Sequence, residues 1–212
     1  MVSAQRLVLA SNNAKKLAEL RAMLGELSVE LVTQRELGIA EAEEPHATFI
    51  ENALAKARHA AQASGCAALA DDSGLCLDAL GGAPGVISAH YAGEVQGTGE
   101  REERRRLQDA ANNQHLLQAL KGASSRRGHF VSTLVAVRHA QDPQPLVAMG
   151  RWPGEILTSP RGAQGFGYDP LMFIPELGRT VAEMDAATKN RHSHRARAMA
   201  QLLQQLQSVW QL

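Results

Sequence analysis

In the stretch "ALADDSGLCLDALGGAPG", two adjacent aspartates, Asp71 and Asp72, close a short apolar run and are followed by Ser73 and Gly74. Paired carboxylates can hold a hard divalent cation or accept a proton from an attacking water. Asp, Ser and Gly are also ordinary turn formers, so the same residues read equally as a tight turn where two extended segments meet. A second acidic pair, Glu43 and Glu44, precedes the run "PHATFIENALAKARHAA".

Cations gather elsewhere, at two places that read as helix starts. Lys15 and Lys16 follow "SNN", Ser11 to Asn13, at the head of "AKKLAELRAML". Lysines there oppose the helix macrodipole, at a cost of about 0.3–1 kcal/mol each, and an external anion would relieve the conflict. Backbone N–H groups, a capping hydroxyl or amide and a lysine form a phosphate cradle of this kind; plain capping by Ser11 or Asn13 with solvated lysines is the alternative. The pattern repeats in "TKNRHSHRARA", which crowds Lys189, Arg191, His192, His194, Arg195 and Arg197 around the expected start of the last helix. Two cation-loaded helix starts imply a strongly anionic ligand. The four acids imply the Mg²⁺ that such a ligand carries, a cation held by one or two carboxylates plus phosphates. No G-x-x-x-x-G-K-[ST] run occurs, which excludes a Walker-type site.

The elements that must position these groups follow from periodicity. "RLVLA" reads as a strand, "SNN" as a loop, and Leu17, Leu20 and Leu24 recur at helical spacing. A second helix opens at Thr48 with Glu51 three residues on, as in a capping box; Ile50, Ala53, Leu54, Ala57 and Ala61 form its stripe, and Asn52 and Lys56 its other side. A third helix is expected over the segment beginning "TGEREERRRLQ", with Leu107, Ala110, Ala111, Leu117 and Leu120 inward and its charge run solvated. "HFVSTLVAVRHA" and "PLVAMGRWPGEIL" read as a hairpin across "QDPQ". A glycine-rich loop, "PRGAQGFGYDP", precedes a last helix that starts near Ser193 and buries Met199, Leu202, Leu203, Leu206 and Val209. With 212 residues, 44% of them hydrophobic, and no internal repeat, the expectation is one α/β domain over residues 1–212. Equal numbers of acidic and basic residues argue against a broad nucleic-acid surface. Apolar runs are too broken for a membrane span and the first ten residues turn polar too soon for a secretory signal, so a cytoplasmic protein is expected. Cys66 and Cys76 lack a C-x-x-C spacing and read as buried free thiols.

These motifs together resemble the inosine triphosphate pyrophosphatase family, whose members are also described as dITP/XTP pyrophosphatases. "LASNNAKKLAEL", "EEPHATFIENALAKARHAA", "ADDSGLCLDALGGAPGVISAHYAG", "GEILTSPRGAQGFGYDPLMF", "GRTVAEM" and "KNRHSHRARAM" occur in family order along nearly the whole chain. The resemblance implies a mixed twisted sheet flanked by helices, two lobes with the active cleft between them, and a homodimer without nucleic-acid or membrane partners. It implies hydrolysis of ITP, dITP or XTP to the monophosphate and pyrophosphate with Mg²⁺. Ser11, Asn12, Asn13, Ala14, Lys15 and Lys16 then form the phosphate loop, with Lys56 as a second triphosphate lysine. Glu44 and Asp72 are the metal carboxylates. Asp72 is also the proton acceptor, supported by Asp71, although the choice of base between the two stays open, and Ser73 touches substrate. Phe166, Gly167, Tyr168 and Asp169 form the base loop, completed by Lys189, His194 and Arg195. Ile87 and His90, in "ISAHYAG", replace the tyrosine and arginine usual in the family, so no arginine role passes to His90. Two other functions stay open at this point: a triphosphate sensor without hydrolysis, and a pyrophosphatase for modified pyrimidine nucleotides.

Overall fold

The computed structural model describes residues 5–25, 29–95 and 100–212. Among the described residues, seven strands and five α-helices follow one another as β1 Gln5–Leu9, α1 Ala14–Leu24, β2 Val29–Thr33, α2 Phe49–Ser64, β3 Ala67–Leu77, α3 Arg101–Ala119, β4 Arg127–Val137, β5 Leu146–Ile156, β6 Met172–Ile174, β7 Arg179–Thr180, α4 Ala186–His192 and α5 His194–Gln205. The strands form one mixed sheet in the order β2-β1-β3-β4-β5-β6-β7. β1 pairs in parallel with β2 and with β3, and β6 pairs antiparallel with β5 and β7. Parallel neighbours need a crossover between them, which the helical spacing of α1 and α2 supplies. Among the described residues no helix is long and apolar enough to cross a membrane.

The chain divides into two compact units. The first holds residues 1–72, 132–150 and 193–212, and the second holds 73–131 and 151–192. In the first unit the sheet is covered on both faces, and the period-two alternation of strands sorts its residues cleanly. Leu7, Leu9, Ala67, Leu69, Leu134 and Ala136 pack with Leu20 and Leu24 of α1 and Met199 and Leu202 of α5. Val8, Ala10, Ala68, Ala70, Val135 and Val137 pack with Ala53, Ala57, Ala60 and Ala61 of α2. The alanines let α2 lie close to the sheet. The second unit has its own core around Leu116, Phe130, Trp152, Tyr168 and Leu171.

Several sequence expectations need correction. The extended segments around the aspartate pair are one strand: β3 runs without a break through Asp71, Asp72, Ser73 and Gly74, so no turn forms there. Local turn preference is overridden by pairing with neighbouring strands. Among the described side chains of α3 the buried ones are Asn112 and Leu116, with Leu120 buried at its C-cap, whereas Leu107 is exposed and so is Ala110. That face turned inward because Asn112 accepts from the Ala92 N–H and donates to the carbonyls of Ser88 and Ala89. Thr98 and Gly99, expected at the start of this segment, lie outside the described residues. Ile50 of α2 and Val209 are exposed, the latter in a π-helical turn that follows α5. Lys189, Arg191 and His192 belong to the last turn of the separate helix α4, where their charge agrees with the dipole. Thr48 and Ser193 do cap α2 and α5, accepting from Glu51 N and Ala196 N.

Gly150 of β5 lies against α5 so closely that an added Cβ would fall 2.0 Å from the His194 carbonyl oxygen and 2.5 Å from Ala198 N. Both are backbone atoms and cannot swing aside. Gly150→Ala is therefore expected to cost about 2–3 kcal/mol in urea unfolding. Gly25, which ends α1 at φ −61°, offers only an ordinary 3.6 Å contact, so Gly25→Ala should stabilise by about 0.4–1 kcal/mol.

Candidate active site

Consecutive residues of a strand face opposite sides of the sheet, so β3 sends its two aspartates apart. Asp71 shares the face of Ala67 and Leu69, toward α1 and α5; Asp72 shares the face of Ala68 and Ala70, toward α2. Their partners follow this division. Lys16 of α1 lies 2.9 Å from Asp71 Oδ2, and Arg195 of α5 reaches the same oxygen at 3.1 Å. Ser132 of β4 donates to Asp71 Oδ1 at 2.6 Å. Lys56 of α2 donates to Asp72 Oδ1 at 2.9 Å and, equally close, to Glu44 Oε2.

The two carboxyls titrate in opposite directions. Burial pushes Asp71 upward, but the Arg195 and Lys16 charges outweigh it and hold the group well below the usual carboxylate range. Burial raises Asp72 to about 6; Lys56 opposes the rise and the Glu44 carboxylate adds to it. Lys16 is lowered by its burial, with Asp71 opposing. Lys56 is raised, because Asp72 and Glu44 outweigh the burial that would lower it. Asp72 Oδ2 is buried and accepts no hydrogen bond among the described residues.

The loop before α2 is held by a residue that the sequence reading assigned no role. Asn52, 1% exposed, accepts from the His46 N–H at 3.0 Å and donates to the His46 carbonyl at 3.2 Å. Asn52 and Lys56 are i and i+4 on α2, so one helix face fixes the loop and meets Glu44 from it. That spacing was the signal available. Glu43 is exposed.

At the head of α1, Asn13 is the N-cap and accepts from Lys15 N and Lys16 N, while Ser11 Oγ accepts from Asn13 N at 3.2 Å. Plain capping is thus part of the answer. Ala14 is exposed, Lys15 half-buried, and the buried Asn12 Oδ1 has no partner among the described residues. The first turn contains no acidic residue. Asp71 from β3 supplies the anion that α1 lacks, and does the same for Arg195 in the first turn of α5. Glu19 of α1 also pairs with Arg195, which is 1% exposed. Two of the Arg195 guanidinium nitrogens therefore serve carboxylates of the first unit. His194, next to it, is buried.

Ser73, half-buried in β3, begins the second unit, which also holds the glycine-rich loop. Asp169 accepts from Phe166 N at 2.9 Å and from Lys189 Nζ at 2.8 Å, and this ammonium stands 4.4 Å from the centre of the Phe166 ring. Tyr168 is buried, and its hydroxyl donates to the Ser88 carbonyl. The loop thus presents an aromatic ring, half-buried, on a frame fixed by an ion pair.

A match to the family model described as the Ham1 family spans residues 7–205. The chain belongs to the Ham1 family. Among Ham1 relatives, the dITP/XTP pyrophosphatase of Methylibium petroleiphilum is 66% identical over 97% of this chain and 99% of its own length. That of Leptothrix cholodnii is 65% identical over 98% and 99%. A solved HAM1 protein from Coxiella burnetii superposes with a TM-score of 0.84 at 43% identity, covering 93% of this chain and 96% of its own. A nucleoside-triphosphatase, dITP/XTP pyrophosphatase, from Mycobacterium abscessus gives 0.70 at 41%, covering 94% and 99%.

Two opposite stability effects are expected from neighbouring isosteric changes. Asp71→Asn leaves Lys16 and Arg195 facing each other without their shared anion, and should destabilise by about 3–5 kcal/mol in urea unfolding. Asp72 binds its proton more tightly in the folded chain than in the unfolded one, so its contribution is complete below about pH 4 and is lost as pH rises through 6. In chelator, Asp72→Asn should accordingly be more stable than the parent at pH 8 and equal to it near pH 4.

Proposed function

We propose that this Ham1 protein hydrolyses ITP, dITP and XTP to the nucleoside monophosphate and pyrophosphate, with Mg²⁺ as cofactor. The observation that carries the reading is the contrast within the acidic pair. Asp71 is saturated by Lys16, Arg195 and Ser132, whereas Asp72 keeps a buried oxygen with no donor and has a raised pKa. A buried carboxylate left incomplete beside a complete one is suited to a ligand or to a proton.

Mg²⁺ fits these groups. Asp72 and Glu44 are hard oxygen donors, and among the described residues no cluster of three or more His, Cys, Asp or Glu side chains offers a fuller cage. Two carboxylates plus substrate phosphates are the usual holders of this ion. When bound, it neutralises phosphate oxygens and makes a nearby water more acidic. The chain's own groups do the rest. Asp72 accepts the water's proton, a role open to a carboxylate held within reach of that water. Lys16 and Lys56 offset charge on the departing pyrophosphate. The N–H groups at the head of α1, with Ser11 and Asn13, orient the phosphates. Asp71 stays ionised and keeps Lys16 in place.

Phe166 offers a stacking face for the purine in this reading, and Lys189, His194 and Arg195 complete its recognition. Hypoxanthine and xanthine present a 6-keto acceptor where adenine presents a 6-amino donor. A site built with donors there would leave one unpaired against adenine. The names of the relatives support dITP and XTP as substrates of those proteins. A homodimer acting in the cytoplasm belongs to the proposal as well.

Pyrophosphate release should be fastest from ITP, dITP and XTP, slow from the four standard nucleotides, and absent without a divalent cation. Equal rates on ATP would overturn the base assignment. Asp72→Asn should lower kcat by about 10²–10⁴ at saturating Mg²⁺, and retention of a tenth of the rate would remove Asp72 from the chemistry. Lys16→Ala and Lys56→Ala should weaken ITP binding while changing IMP inhibition little. Parallel losses for both ligands would move these lysines away from the outer phosphates.

A further inference from the structure

The base loop has a second set of fasteners, on a helix that none of the motifs points to. Asp109 and Asn113 of α3 are separated by one turn and share a face. Asp109 Oδ2 accepts from the Gly167 N–H at 2.9 Å, and Asn113 Nδ2 donates to the Gly167 carbonyl at 2.8 Å. Asn113 Nδ2 also donates to the Asp109 carbonyl, which fixes the amide orientation. Both backbone polar groups of one loop residue therefore end on one helix face. Gly167 has a φ of +62° and open space where a Cβ would lie, so glycine is required there by conformation.

The bonds from Asp169 to Phe166 N and to Lys189 give the loop its internal shape. Those to α3 fix its place within the second unit. Gly167 directly follows Phe166, so releasing it lets the ring shift as the loop pivots. A displaced ring alters the part of binding that depends on the base and leaves the part that depends on phosphate. We infer that Asp109 and Asn113 are positioning residues for base selection, acting through Gly167 on the Phe166 ring. The inference rests on the reading of Phe166–Asp169 as the base loop.

The test compares Asn113→Ala, Asp109→Ala and Asp109→Asn, the last keeping an acceptor oxygen, with Phe166→Ala as a probe of the loop itself. Each lost hydrogen bond should lower the ITP-to-ATP ratio of kcat/KM by about fivefold or more, with competitive inhibition by inorganic tripolyphosphate within about twofold of the parent. Asp109→Asn should restore most of the ratio. Native-state exchange of the Gly167 amide, followed by NMR, should quicken about tenfold in Asp109→Ala. An unchanged exchange rate would show that the clamp does not hold the loop and would overturn the inference. So would faster exchange with an unaltered ratio while Phe166→Ala lowers it. Parallel losses for ITP, ATP and tripolyphosphate would reduce the two residues to a structural role. Should Phe166→Ala itself leave the ratio untouched, the base-loop reading fails, and the inference fails with it by a separate route.

Discussion

A pleated strand cannot aim two consecutive side chains at one face, and the organisation of the acidic site follows from β3 carrying Asp71 and Asp72 in succession. The strand gives each carboxyl a different set of neighbours without any irregularity of its backbone. One meets two cations and a hydroxyl; the other meets one lysine and another carboxylate. Their opposite proton affinities are a consequence of the pleat.

Asp71 also resolves an electrostatic problem that α1 and α5 would otherwise share. Each begins with cations near the positive end of its dipole, and each lacks an acid in its first turn. Lys16 is lowered first by its burial, and the repulsion between it and Arg195 lowers it further. A single buried carboxylate between them opposes this repulsion, because Coulomb attraction strengthens where water is excluded. It also lets Lys16 remain at the head of α1 beside the capping amide of Asn13, where backbone N–H groups and a positive side chain converge. An anionic ligand is therefore not needed to stabilise the helix start, only to use it.

What the sequence could express was whatever depends on local spacing. The strand, loop and helix at the amino end, the Thr48 cap, the Ser193 cap and the two long strands were all legible from periodicity and capping chemistry. Asp71, Asp72, Lys16, Lys56 and Glu44 stood out as charges, yet their pairing could not be read, since Lys16 and Asp71 meet across more than fifty intervening residues. The continuity of β3 was hidden for a related reason: the turn preference of D-S-G is local, whereas the strand neighbours that override it come from elsewhere in the chain. In α3 an apolar stripe was the wrong guide because a buried amide, Asn112, satisfies three backbone groups. Asn52, Asp109 and Asn113 were invisible as functional residues for the same cause. Side chains that hold a loop backbone by hydrogen bonds leave no motif in the sequence, and only the i, i+4 spacings of Asn52 with Lys56 and of Asp109 with Asn113 hint at shared faces on α2 and α3.

The incomplete state of Asp72 is the feature least explained by folding. A buried carboxylate oxygen without a donor carries a desolvation penalty of about 1–3 kcal/mol, and a serine placed as Ser132 is for Asp71 would remove it. The β4 residue next to Ser132 is Thr133, fully buried, and its hydroxyl has no partner among the described residues. The fold therefore has two hydroxyl-bearing residues in the neighbouring strand and satisfies Asp71 with one of them, Ser132, while an oxygen of Asp72 is left without a donor among the described residues. Strain of this kind persists where a ligand or a proton completes the group during function. Burial and the Glu44 carboxylate oppose the Asp72 charge while Lys56 favours it, and a carboxyl left between these pulls is one that a ligand or a proton can complete.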